Sequence, residues 1–248
     1  MSELERFLYN NKCTKFRVVV NFDREQLEKM INKEKFFHTG TLFNLTDSKG
    51  YIGLACVRCN NETYELCTSE KQITMTDEIA SVAEHCNDVD FTHVNGRISY
   101  DLLMNTVSLA SYVNVGDLDV YSISGPYKSW IERMNFGNKN GEHYMVYADR
   151  LFYWSVTLKE LDMRAVNFRT VVSMVEAFKN CGTLAEINFG ETYPESLIKC
   201  TNIFSGCKNL KKIIIEPRFL DVILHSNTSY KYKNGYLDIG YGPNVKII

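Results

Sequence analysis

Residues Phe204–Pro217 read FSGCKNLKKIIIEP, a phenylalanine and a cysteine set ahead of a short apolar run. The same skeleton stands earlier in FKNCGTLAEINFGE, where Phe178, Cys181, Leu184, Ile187 and Phe189 take the corresponding places. One more equal step back, FYWSVTLKELDMRA keeps the frame with Phe152, Leu158, Leu161 and Met163, and Ser155 replaces the cysteine. Weaker rows precede these: Ile131, Met134 and Phe136; Tyr112, Val115, Leu118 and Val120; Cys86, Val89, Thr92 and Val94.

A constant period of this length marks a stacked architecture, because one copy cannot bury its own apolar face and its neighbours must cover it. The predicted fold is α/β, a leucine-rich-repeat solenoid of 26-residue repeats. In each repeat the L-x-x-L-x-L part forms a short parallel strand and the F-x-x-C part a helical turn on the opposite side. The competing expectation is an ordinary α/β domain whose strands are evenly spaced.

The stretch LDMRAVNFRTVVSMVEAFKNCGTL, Leu161 to Leu184, resembles the BspA-type leucine-rich repeats of bacterial surface proteins. Leu161, Asp162, Val171, Met174, Phe178, Cys181 and Leu184 carry the likeness, and CTNIFSGCKNL repeats its second half. The resemblance is clear over residues 152–217. It implies a leucine-rich-repeat fold and a binding role, with a bacterial adhesion or surface repeat protein as an alternative.

Residues 1–75 lack the repeat and read as an N-terminal α/β capping unit. KFRVVVNF is a strand by its β-branched run, and Asp23 followed by Gln26 opens an amphipathic helix whose Leu27, Met30 and Ile31 share a face. A β-meander through TGTLFNL, YIGLACVRC and TYELCTS follows. Residues 76–217 form the solenoid, with an irregular insertion at about 125–150. Residues 218–248 form a C-terminal cap with a β-hairpin turning at Asn234-Gly235. Tyr230, Tyr232 and Tyr236 alternate there with Lys231 and Lys233. That is also the pattern of a nucleic-acid platform, against which the near-neutral charge of the whole chain argues.

The 248 residues carry a net charge of -2, so the molecule as a whole has no general attraction to nucleic acid or anionic membrane. No segment reaches the ~18 apolar residues of a membrane span, and the N-terminus lacks a signal-peptide pattern. The expectation is a soluble cytoplasmic protein whose eight cysteines are reduced. Few prolines (4) and many Asn, Lys and Ile residues fit a low-GC source. A stand-alone repeat protein of that kind reads as a phage or mobile-element product that binds and inhibits a host defence protein in the bacterial cytoplasm.

Cys56 and Cys59, with Cys67, Cys86 and His85 beyond, invite a zinc-binding or enzymatic alternative built on the N-terminal unit. Their odd separation within a strand sends Cys56 and Cys59 to opposite faces, so no metal is expected. Cys86, Cys181 and Cys207 share one column of the repeat and read as buried thiols. The five histidines form no recognisable catalytic arrangement, and no phosphate-binding loop is present. The expectation is therefore a non-enzymatic protein without cofactor or metal, and without direct contact to nucleic acid.

The positions alternating with the apolar columns carry the function. Row by row they are Phe91 and His93; Asp117, Asp119 and Tyr121; Glu160, Asp162 and Arg164; Glu186 and Asn188; Lys212, Ile214 and Glu216. Acidic residues outnumber basic ones on this face, which selects a protein partner with a basic surface. Phe91, Tyr121 and Ile214 are its apolar anchors.

Overall fold

The computed structural model describes residues 13–19, 23–31, 36–38, 55–60, 62–68, 73–75, 77–84, 86–121, 130–137, 143–144 and 146–248. The chain is α/β, with few helices and a large, mostly parallel, solenoid-like arrangement of short strands. Two compact units divide it: residues 1–97 with 105–118, and residues 98–104 with 119–248.

The first unit holds β1 (Lys15–Val19), β2 (Phe36–His38), β3 (Ala55–Asn60), β4 (Thr63–Thr68), β5 (Ile73–Thr74), β6 (Asp88–Asp90), β7 (Val94–Asn95) and, beyond β8 (Arg97–Ser99), β9 (Tyr112–Asn114). β1 lies between β4 and β6, parallel to both, and β9 extends the sheet beside β6. β2, β3 and β4 form an antiparallel meander whose first strand is Phe36–His38, ahead of the TGTLFNL expected for it. TGTLFNL lies outside the described residues. The helix Arg24–Ile31 starts at the expected capping box: the Gln26 N–H donates to Asp23 Oδ1 at 2.7 Å and the Asp23 N–H to Gln26 Oε1 at 3.0 Å.

Register in this unit departs from the sequence reading. Asp88 pairs with Tyr112, a shorter step than the repeat period, and the inward strand positions are Val89 and Val113. The row continues inward to Phe91, where the chain leaves the strand and turns. Val94, also buried, belongs to β7, which pairs with β5 in a separate two-stranded sheet. One apolar alternation therefore serves two strands, and its phase changes at the turn between them.

The second unit holds β10 (Asp119–Tyr121), β11 (Arg133–Asn135), β12 (His143–Tyr144), β13 (Glu160–Asp162), β14 (Val166–Asn167), β15 (Glu186–Asn188), β16 (Lys212–Ile214), β17 (Lys231–Lys233), β18 (Tyr236–Asp238) and β19 (Val245–Ile247). β11, β13, β15, β16 and β19 lie side by side and parallel. Leu161 pairs with Ile187 and Ile187 with Ile213, so the 26-residue spacing of the sequence is the spacing of the pairing.

The apolar residues at this spacing are buried. Phe152 stacks on Phe178 at 6.0 Å and Phe178 on Phe204 at 5.7 Å, each ring one full period from the next. Burying one such side chain stabilises the fold by about 1.5–3 kcal/mol, so stacking coils outweighs exposing them singly.

The return segments are ordered although they are neither helix nor strand. The N–H groups of Met174, Glu176, Phe178 and Asn180 donate to Lys199, Thr201, Ile203 and Ser205 carbonyls in the next coil, at 2.7–3.0 Å. This ladder requires a left-handed residue at two positions per coil: Arg150, Glu176 and Asn202 in one column, Trp154, Asn180 and Gly206 in the other. A Cβ on Gly206 would collide with Asn180 Oδ1, so the last coil uses glycine where the others use larger residues.

After β16 the helix Pro217–Ser226 buries Phe219, Leu220 and Ile223, and Phe219 packs on Phe189 at 5.1 Å. The hairpin β17–β18 turns at Asn234 (φ 53°) and Gly235 (φ 81°) as expected, and β18 is antiparallel to β19. Cys67, Cys86, Cys181, Cys200 and Cys207 are buried free thiols. Cys13 departs from the expected reduced state and is disulfide-bonded. Among the described residues no helix is long and apolar enough to cross a membrane.

Candidate binding surface on the strand face

In β11, β13, β15 and β16 the middle side chain points inward and the two flanking ones point outward, while in β19 the middle residue, Lys246, is the outward one. Pairing therefore lines the outward residues into two rows. The first contains Arg133, Glu160, Glu186, Lys212 and Lys246; the second contains Asn135, Asp162, Asn188 and Ile214. Of the sequence candidates, Glu160, Asp162, Glu186, Asn188, Lys212 and Ile214 come together here, with Arg164 at the edge.

The second row has a structural role as well. Asp162 Oδ1 accepts the Arg164 N–H at 3.1 Å, Asn188 Oδ1 the Gly190 N–H at 2.9 Å, and Asn135 Oδ1 the Gly137 N–H at 2.7 Å. These Asx turns end each strand and send the chain into the next part of the coil. Asp90 and Asn114 do the same in the first unit. The sequence carries a signal for them that a row-by-row reading passes over: Asn114, Asn135, Asn188 and Asp238 each stand two places before a glycine.

Charge on the face is mixed rather than acidic. The Lys212 ammonium lies 2.6 Å from Glu186, and the Arg164 guanidinium grips the Asp162 carboxylate, with Nη2 at 2.6 Å. The hydrogen bonds to Asp162 raise the Arg164 pKa above its ordinary value. Glu160 is paired across the strands with Glu186, and Lys212 with Lys246. Like charges directly opposite one another are destabilising by a fraction of a kcal/mol each.

The remaining candidates lie elsewhere. Phe91 is fully buried, its ring 6.0 Å from Phe16, and does not face out. His93 is half-buried in the turn after β6, and its carbonyl accepts the Ile73 N–H at 3.0 Å. Asp117 lies in the turn after Gly116, while Asp119 and Tyr121 belong to β10, which pairs with β8 in a separate two-stranded sheet. Buried Leu118 and Val120 imitate the spacing of a main row. Glu216 is the N-cap of the helix Pro217–Ser226: its carboxylate accepts the Arg218 and Phe219 N–H groups at 2.8 and 3.3 Å and pairs with the Arg218 guanidinium at 2.7 Å.

Cys56 and Cys59 fall in β3, paired opposite Cys67 and Tyr64, and their side chains lie outside the described residues. Among the described residues no group of three or more His, Cys, Asp or Glu side chains is placed to hold a metal ion. Cys86, Cys181 and Cys200 have thiols pushed up to about 12, 12 and 11 by burial, unlike the depressed values of reactive cysteines. No family model, curated protein or solved structure matches the chain.

Proposed function

We propose that the chain is a non-enzymatic protein-binding module of the leucine-rich-repeat class, and that its partner docks a basic group on the strand face of the second unit. The observation behind this reading is the direct cross-strand pairing of Glu160 with Glu186 on β13 and β15. The two carboxylates stand side by side in the row: Lys212 lies 2.6 Å from Glu186, and Arg133 is paired opposite Glu160 on its other side. A partner lysine or arginine set over Glu160 removes the repulsion and so gains more from binding than it would at an isolated carboxylate. On this mixed face the carboxylates offered to a partner are Glu160, Glu186 and Asp162, with Ile214 as their apolar neighbour.

Two measurements on Glu160→Gln test the reading. The free protein should gain a few tenths of a kcal/mol in urea unfolding, because one like-charge contact is removed. A partner captured from the native host should bind about tenfold more weakly, and Glu160→Lys with Glu186→Lys should release it. A partner whose affinity ignores all three changes docks elsewhere, and the proposal fails.

A further inference from the structure

The strand face changes character at its C-terminal end. Register sets Lys233 beside Tyr236, Tyr236 beside Lys246 and Lys246 beside Lys212, so four neighbouring strands contribute one row on a single face. At about 4.8 Å per strand the row is about 14 Å wide. Lys231, two places from Lys233, shares its face, paired with Asp238, whose Oδ1 accepts the Gly240 N–H at 2.8 Å. Tyr236 is 47% exposed. Among the described residues Lys231, Lys233 and Lys246 form no ion pair, and Lys212 pairs with Glu186.

Residues 204–248 carry seven Lys or Arg against three Asp or Glu, an excess of four positive charges in a chain whose net charge is -2. The near-neutral whole thus conceals a cationic end. Tyr230, part of the sequence pattern, does not belong to this surface: it is buried, and its hydroxyl accepts the Phe204 N–H at 3.2 Å.

We infer that this row, Lys233, Tyr236, Lys246 and Lys212, is a docking surface for single-stranded nucleic acid. Phosphates neutralise the lysines, while a base stacks on the tyrosine ring held between two of them, the combination by which sheet platforms bind single strands without sequence preference. An acidic protein segment satisfies the lysines equally well but gives the exposed aromatic ring no role.

Fluorescence anisotropy with a labelled 20-nucleotide oligothymidylate tests the inference, with polyglutamate of matched charge as competitor. Binding is expected at low salt, and three or four neutralised phosphates give a slope of about -2 to -3 in log K against log salt. Tyr236→Ala should weaken binding about tenfold and Tyr236→Phe should retain it, because the ring supplies the stacking. Lys233→Glu with Lys246→Glu should abolish binding, whereas Lys199→Glu, an exposed lysine in a return segment, should leave the affinity within about twofold. Absence of saturable binding at low salt overturns the inference. So does displacement by polyglutamate at equal charge, which assigns the lysines to an acidic protein segment, or an unchanged affinity in a folded Tyr236→Ala protein. None of these outcomes depends on Glu160, so the protein-docking proposal stands or falls separately.

Discussion

The Cys181 and Cys207 thiols donate to main-chain carbonyls of the preceding coil, Phe152 O at 2.8 Å and Phe178 O at 2.9 Å. Ser155 holds the same place one coil earlier, where a hydroxyl can supply the donor. The column is therefore a line of small groups that each fit between aromatic layers and satisfy one carbonyl. Burial raises the Cys181 pKa from 9.0 to about 12 and raises Cys207 as well, with Cys181 adding to the second shift. The folded state holds these protons where the unfolded chain releases them. Stability from the neutral thiols is thus complete below pH 9 and is lost as pH rises toward about 12, at roughly 1.4 kcal/mol per unit for each thiol. Urea midpoints measured from pH 8 to 10.5 should fall accordingly, and Cys181→Ser should flatten the decline. In the native protein at pH 8, iodoacetamide should leave both cysteines unmodified. Rapid labelling of either without denaturant would contradict the packing described.

Glu216 shows how an element can claim a residue that a repeat pattern assigns to a surface. It occupies an outward position by spacing, yet it caps the helix Pro217–Ser226, with Pro217 at the first turn where a missing N–H costs nothing. Although burial works in the opposite direction, hydrogen bonds from Arg218 hold its carboxyl below the usual range. Its contribution is present above the ordinary carboxylate pKa and is lost as pH falls through that range. Glu216→Ala should cost about 1 kcal/mol in thermal or urea unfolding at pH 7, with the difference shrinking at low pH. If partner binding rather than stability changes, the residue belongs to the surface after all. The same competition explains what the sequence reveals. From Phe152 to Pro217 the spacing is constant, so one phase places Leu161, Ile187 and Ile213 correctly. Between Cys86 and Val120 the strand step is shorter than the period, and the buried Val94, Leu118 and Val120 beyond the turns extend the alternation. Because side chains alternate with period 2, that extension turns Phe91 outward on paper while it packs against Phe16 in the fold. The contact Glu160–Glu186 follows from the repeat period, whereas Lys212–Lys246 becomes visible only once strands are paired, because β19 lies outside the repeat and its register is a relation between segments.

At the scale of the whole molecule, parallel stacking leaves a last strand whose backbone groups and apolar side chains must be covered. In the second unit β16 meets this need by pairing with β19. The Lys246 N–H donates to Lys211 O at 2.8 Å, and Ile215 and Ile248 donate to Ile248 O and Ile213 O at 3.0 Å. The covering segment also buries Leu237, Ile239 and Val245. These contacts pair the backbone of the last repeat strand and bury three aliphatic side chains, so the hairpin is part of the folding unit and not an appendage. Deleting residues 231–248 should therefore abolish a cooperative transition for the second unit and convert the monomer peak in size-exclusion chromatography into aggregate, because β16 becomes an open edge. Leu237→Asp, which keeps the chain length but buries a carboxylate in the same contact, should have a similar effect. Asp238→Asn, the next position along on the exposed face, should leave the elution and the melting curve unchanged. A truncated protein that stays monomeric and melts cooperatively would mean that the coils up to β16 cover themselves, and the capping role of the C-terminal hairpin would have to be abandoned.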